Sequence, residues 1–220
     1  MKLVTFLPRG KSLCRVRDHP SQRRKLSSIT RLVVLGAVCQ FQPVHGYFLR
    51  RELMTWHVDE WANIQPGSIY NALKSLKQDG YIDESGTEAA GKRPERTIYQ
   101  MTALGEVELM RLLRQNLWTV EPFDTKPVMA LTSFMFMLSR AEVLSALKFR
   151  VTEIDAKITS NSFDINDIAR SSTTPAYVRE IFELSSVRLR AEQTWARDLH
   201  QRLEAGEYRF AGEQDAAKSS

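Results

Sequence analysis

Pro66-Gly67-Ser68-Ile69-Tyr70-Asn71-Ala72-Leu73-Lys74-Ser75-Leu76-Lys77-Gln78-Asp79-Gly80 is the stretch whose reading decides the fold. Its apolar residues Ile69, Ala72, Leu73 and Leu76 stand at i, i+3, i+4 and i+7, which predicts a short amphipathic helix over Gly67–Asp79. Gly80 sits where a left-handed residue closes such a helix. At 100° per residue, Gly67, Tyr70, Asn71, Lys74 and Gln78 fall opposite the apolar stripe, with Lys77 at its flank. A helix of this kind packs on one side and offers an aromatic ring, an amide and ammonium groups on the other.

Working outward, Ile29–Phe41 places Leu32, Leu35, Gly36 and Cys39 at helical spacing, widened by Val33 and Val34, and so predicts a largely buried helix ended by Pro43. His45–His57 reads as a second helix with Leu49, Leu53, Met54 and Trp56 inward and Arg50, Arg51 and Glu52 outward, and Asn63–Pro66 as a turn. After Gly80, the alternating segments Tyr81–Glu84 and Arg96–Met101, joined by the charged stretch Ser85–Glu95, predict a β-hairpin. Thr102 is an expected N-cap for a following helix, whose apolar positions Leu104, Val107, Leu109, Leu112, Leu113 and Leu117 run to Trp118. Three helices, a hairpin and a helix make the winged helix-turn-helix order, so the expected fold is mainly α with a small β-hairpin, followed by an α-helical dimerisation domain.

The boundaries expected from composition are a basic arm over 1–28, the winged unit over 29–120, a hinge over 121–127 carrying Pro122 and Pro127, a helical domain over 128–210 to which dimerisation is assigned, and a disordered tail over 211–220. Within the second half, Arg140–Ser160 is amphipathic, Asn161–Thr174 breaks the pattern, and Thr174–Pro175 reads as N-cap and first residue of a helix ending near Gly206.

The formal charge of +5 invites a nucleic-acid reading, but its distribution matters more than its sum. Residues 1–28 hold eight of the 31 basic side chains against one of the 26 acidic ones, so the remaining 192 residues carry 23 basic and 25 acidic groups. The segment reads as a DNA-touching arm centred on Arg23, Arg24 and Lys25, as a transit peptide, or as a leader without a role. No apolar run approaches the ~18 residues of a membrane span. Cys14 and Cys39 form no metal or redox motif, and the four histidines lie at no metal-ligand spacing, so neither a cofactor nor a metal is expected. No catalytic fingerprint occurs, which predicts a non-enzyme. The expected location is the cytoplasm, a reducing compartment.

A helix fits the B-DNA major groove, where bidentate donors and acceptors read base edges. Asn71 suits adenine, Lys74 guanine or a phosphate, and Ser68 and Tyr70 phosphate oxygens, with Lys77 and Gln78 beside them. The amides near Gly67 and Ser68 offer an anion site at the helix N-terminus. Lys92, Arg93 and Arg96 would bring cations from the wing, diluted by Glu88 and Glu95.

Residues 31–105 resemble the PadR family of bacterial transcriptional regulators. The resemblance is carried by the leucine-rich first helix, His45-Gly46-Tyr47, Pro66 through Leu76, Gly80-Tyr81-Ile82 and Tyr99-Gln100-Met101-Thr102-Ala103-Leu104-Gly105. It implies a dimeric winged helix repressor of a two-fold symmetric operator, with Gly67–Asp79 as recognition helix, His45 and Tyr47 among the DNA contacts, and dimerisation through the C-terminal helices. Asn71 departs from the proline common in the family at that position. The resemblance further implies a bacterial cytoplasm, with the protein at the nucleoid when bound, and an effector role for 128–210. The inducers it implies are molecules such as phenolic acids or flat aromatic drugs, for which Trp61, Trp118, Phe134, Phe136 and Trp195 are the candidate lining. Val178, Ile181, Leu184, Ala191, Trp195, Leu199 and Leu203 recur as an apolar seam that either a self-packed antiparallel hairpin or a second copy would cover. The alternative function is a winged helix that binds a protein, which would lack salt-sensitive affinity for DNA.

Overall fold

The computed structural model describes residues 26–88 and 96–213. The expectations placed on Cys14, on the arm residues Arg23, Arg24 and Lys25, on Lys92 and Arg93 of the wing, on the Arg96 side chain and on tail residues 214–220 lie outside the described residues.

Helix α1 (Ser28–Phe41) is capped by Ser27, whose hydroxyl accepts from the Thr30 amide at 3.1 Å. It buries every side chain from Leu32 to Val38. The expected helix from His45 is instead a two-residue strand β1 (Val44–His45), helix α2 (Gly46–Thr55) and a single turn α3 (Val58–Trp61). The break falls at His57, with φ 53°. Strand β1 escapes sequence reading because two residues hold no periodicity; only its pairing with a distant strand defines it.

Helix α4 (Pro66–Gln78) opens on proline at its first turn, where the missing N–H costs nothing. It closes as expected: Gly80 has φ 76°, its amide donates to Lys77, and the Tyr81 amide donates to the Leu76 carbonyl at 2.9 Å. Strands β2 (Ile82–Glu88) and β3 (Arg96–Met101) form the hairpin, and β1 adds antiparallel to β3, giving the order β1-β3-β2. Val44 lies opposite Tyr99 and Ile82 opposite Met101, with an irregularity between Glu84 and Gly86.

Helix α5 (Ala103–Leu117) is N-capped by Thr102, which accepts from the Gly105 amide at 3.0 Å. Leu104 and Val107, expected in its apolar face, are 55% and 67% exposed. The inward line runs Gly105, Leu109, Leu112, Leu113 and Leu117. Gly105 occupies the inward place in the first turn because a Cβ there would run into the Tyr81 carbonyl and the Met101 sulfur.

Helix α6 (Lys126–Phe134) packs on α1 at Gly36, where a Cβ would stand 2.7 Å from the Phe134 ring. Phe134 also meets Trp56 at 5.7 Å between ring centres, so the apolar stretch Val128–Leu138 joins the core of the winged unit rather than forming one of its own. Helices α7 (Arg140–Arg170) and α8 (Arg179–Glu204) pack together as a hairpin, linked by the short turn Ala176–Val178.

Two expectations for this half are corrected. Helix α7 runs through the supposed break at Asn161, because its polar side chains bond back to its own carbonyls or to α8. The Thr159 and Ser162 hydroxyls donate to the carbonyls four residues earlier, and Asn161 donates to Ser185 and Ser186 across the hairpin. Pro175 is extended, so α8 begins later, at Arg179. The tail is anchored at its start: the Ala211 amide donates to the Phe136 carbonyl, and Arg140 pairs with Glu213 at 2.6 Å. That guanidinium, helped by the Phe210 amide, holds the exposed Glu213 carboxyl down to about 2.

Candidate nucleic-acid interface

The two faces of α4 separate cleanly. Ile69, Ala72, Leu73 and Leu76 are fully buried against α1 and α2, while Asn71, Lys74, Lys77 and Gln78 are exposed and Tyr70 is 45% exposed. Ser68 is half-buried. No side chain caps the N-terminus of α4, but the Ser68 amide already donates to the Gln65 carbonyl at 2.8 Å, which removes it from the anion site expected there.

Gly46 brings α2 close to this helix. A Cβ at that position would stand 3.3 to 3.4 Å from Leu73, Tyr70 and Tyr99, so the N-terminus of α2 lies against the middle of α4 and the sheet. Tyr47, the next residue, is 61% exposed. His45 is half-buried, with Nδ1 3.4 Å from the Thr97 carbonyl of β3. Sequence reading missed Arg50, whose guanidinium stands 5.4 Å from the Tyr47 ring centre. Its only signal was position, one turn beyond Tyr47 on the same face.

The cations differ in what they are free to do. Lys77 is paired with Glu84 of β2, whereas Lys74 has no ion-pair partner among the described residues. Lys74, Lys77, Gln78, Glu84 and Tyr99 line a groove of about 480 Å³ between α4 and the sheet. Burial, and then the Glu84 carboxylate, push the Tyr99 phenol up.

The helix is held in place by a charge network behind it. Arg31 of α1 reaches Glu108 of α5 at 3.0 Å and Asp79 at the end of α4 at 3.8 Å, and its guanidinium lies 5.4 Å from the Tyr81 ring centre. Glu108 also accepts from Arg111 at 2.7 Å. The Arg111 hydrogen bond, and then Arg31, hold the Glu108 carboxyl below the usual carboxylate range against the opposing effect of burial. Cys39 is half-buried, and burial followed by Glu106 pushes its thiol up, away from reactivity.

The five aromatic residues considered for an effector are not brought together. Trp61 donates its indole N–H to the Trp56 carbonyl, Trp118 edges onto Phe149, and Phe134 is fully buried in the core. Phe136 and Trp195 share a cavity of about 230 Å³. Trp195 also lines a larger one of about 370 Å³ between α6 and α8, with Pro122, Val128, Met129, Glu121, Arg188 and Glu192. Among the described residues, no cluster of three or more His, Cys, Asp or Glu is placed to hold a metal, and no helix is long and apolar enough to cross a membrane.

Comparison with known proteins adds a likeness to one family. Bacillus subtilis PadR in complex with operator DNA is 19% identical over 80% of this chain and 99% of its own, with a TM-score of 0.39. The protein smu.1604c of Streptococcus mutans UA159 is 19% identical over 77% and 96%, with a TM-score of 0.36, and the PadR-like regulator BC1756 of Bacillus cereus is 19% identical over 81% and 99%, with a TM-score of 0.32. No curated protein matches. The model of the transcriptional regulator PadR-like family matches residues 34–111, from the middle of α1 to the middle of α5. Over those residues the chain is similar to the transcriptional regulator PadR-like family.

Proposed function

We propose that this regulator reads a two-fold symmetric DNA site as a homodimer, acts as a repressor, and is released by a small aromatic effector. The observation that carries the reading is α4: a helix whose four apolar residues are wholly buried and whose outward face is Tyr70, Asn71, Lys74 and Gln78. In the major groove, Asn71 contacts adenine and Lys74 guanine or phosphate, with Ser68, Tyr70, Tyr47 and His45 against the backbone. Lys77 contributes less because Glu84 neutralises it. The wing cations Lys92, Arg93 and Arg96 flank this face in the sequence, and 29–120 is the reading unit joined by 121–127 to the helices of 128–210.

A second copy is favoured by α8. Ile181, Leu184 and Val187 along its first half, and Tyr177 in the turn before it, are all more than half exposed, an apolar line that a partner would cover. Two reading heads held at a fixed distance match half-sites one helical turn apart. The effector would enter the cavity between α6 and α8, whose Trp195 and Met129 suit a ring.

The test is gel retardation of the DNA upstream of the gene against a scrambled duplex over a salt series. Log affinity is expected to fall linearly with log salt, by about 0.9 per phosphate contact. Equal affinity for the two duplexes would sink the specific reading.

A further inference from the structure

Arg150 of α7 is a guanidinium buried to 2% exposure. Its Nη2 donates to the Thr119 carbonyl, two residues past the end of α5, at 2.7 Å and to the Asn116 carbonyl in the last turn of α5, which also accepts from the Thr119 amide, at 3.3 Å. Its Nη1 donates to Glu192 of α8 at 2.5 Å, and Glu192 is the carboxylate that neutralises it. One side chain thus ties the last turn of α5 to the C-terminal hairpin. Through Leu109, Leu112 and Leu113, α5 is packed into the same core as α1 and the buried face of α4.

Glu192 is also a wall of the cavity between α6 and α8. There it lies with Glu121, against one cation, Arg188, and an apolar lining of Pro122, Val128, Met129 and Trp195. A ligand that brings an ammonium group into this cavity competes with Arg150 for Glu192, and its ring can lie on Trp195. A carboxylate ligand meets two like charges. A buried guanidinium deprived of its counter-ion is strongly destabilised, so Arg150 must shift and release the two carbonyls, Asn116 and Thr119, at the end of α5.

Resting on the effector reading above, we propose that Arg150 is the positioning residue that couples the cavity to the reading head, and that the ligands able to work it are aromatic amines. Occupancy of the cavity loosens the end of α5 and with it the setting of α4. By linkage, bound DNA weakens the amine by the same factor as the amine weakens DNA.

The probes are 2-phenylethylamine, 3-phenylpropanoate and 2-phenylethanol, with binding followed by calorimetry and DNA affinity by anisotropy of the upstream duplex. The amine is expected to bind the parent protein and to weaken the duplex at least about fivefold, the lower end of usual coupling, while the acid does neither. In Arg150→Met, Glu192 is freed, so the amine should bind at least as tightly while the release ratio falls towards one. A merely structural arginine would not give that split. If Arg150→Met does not fold, Glu192→Gln serves: the amine should lose its advantage over the alcohol. An undiminished release ratio in Arg150→Met, or an amine preference that survives Glu192→Gln, overturns the coupling alone. So does release by the acid in place of the amine, which leaves the effector reading standing. Failure of all three probes to bind the parent overturns both.

Discussion

Helices α4 and α8 solve opposite problems. In α4 every apolar side chain of the periodic stripe is buried and the polar ones face out. In α8, Ser185, Ser186 and Gln193 are buried, while Ile181, Leu184 and Val187 are 55%, 62% and 58% exposed. The difference lies in what each helix packs against. Helix α4 rests on an apolar surface of α1 and α2. Helix α8 adds polar pins to the apolar contacts of Leu189, Ala196, Leu199 and Leu203: Asn161 to Ser185 and Ser186, Gln193 to Asp155 and the Val151 carbonyl, and Arg150 to Glu192. Pins of that kind set the register of a hairpin, since a slip leaves buried donors without acceptors. They also turn the apolar stripe of α8 outward, which is the physical case for a second copy.

The contrast can be broken at several points. Leu73→Ala, in the buried stripe, should cost about 2–5 kcal/mol of stability in urea unfolding. An effect under 1 kcal/mol would mean that the winged core is looser than its burial indicates. Leu184→Asp, in the outward stripe, should instead leave the far-ultraviolet circular dichroism intact and weaken self-association by about 2–4 kcal/mol, read by sedimentation equilibrium. An unchanged oligomeric state would leave the stripe without the partner proposed for it. Asn161→Ala leaves two buried hydroxyls without their donor and should cost about 1–3 kcal/mol, whereas Asn161 would be dispensable if apolar contacts alone held the hairpin.

On the reading face, Asn71→Ala should relax base preference at one position per half-site by about 1–3 kcal/mol, measured by retardation with single-base variants. A uniform loss over all variants would demote Asn71 to a backbone contact. The smallest effect is expected in acid, at the charge network behind α4. The folded-state pKa of Glu108 is depressed below 4.5, so its contribution is fully present above that value and is lost as pH falls through the lower folded value. Unfolding curves of Glu108→Gln should therefore show a shallower loss of stability with falling pH than the parent, and parallel curves would remove Glu108 from the acid response.

How much was legible follows from the same physics. Helix α4, its Gly80 closure and the Thr102 cap were readable because they are local: the spacing of Ile69, Ala72, Leu73 and Leu76, one positive φ, and one hydroxyl three residues before an amide. Strand β1 was not readable, because Val44 and His45 become a strand only by meeting Tyr99 and Ile98. Leu104 and Val107 misled because an apolar side chain at near-helical spacing carries no mark of the side on which the neighbour will stand. The seam of α8 divided for the same reason: Leu199 and Leu203 turned into the chain's own core, while Ile181 and Leu184 turned away from it.

At the candidate site, the exposed face of α4 could be read from its wheel, but the neutralisation of Lys77 by Glu84, the stacking of Arg50 on Tyr47 and the occupied Ser68 amide could not. Each depends on a neighbour, in space or across a turn, whose position no periodicity reports. By itself, the sequence determined the main helices and the hairpin of the first half, the helix that turns a polar face outward and the likeness of residues 34–111 to the PadR-like family. Only tertiary structure decided that α6 docks on Gly36, that Asn161 lies inside α7 rather than in a break, and that Arg150 joins α5 to a cavity wall on α8. Periodicity records which side chains avoid water along one element; which charges meet, and which apolar faces stay uncovered, is set by the packing of elements far apart in the chain.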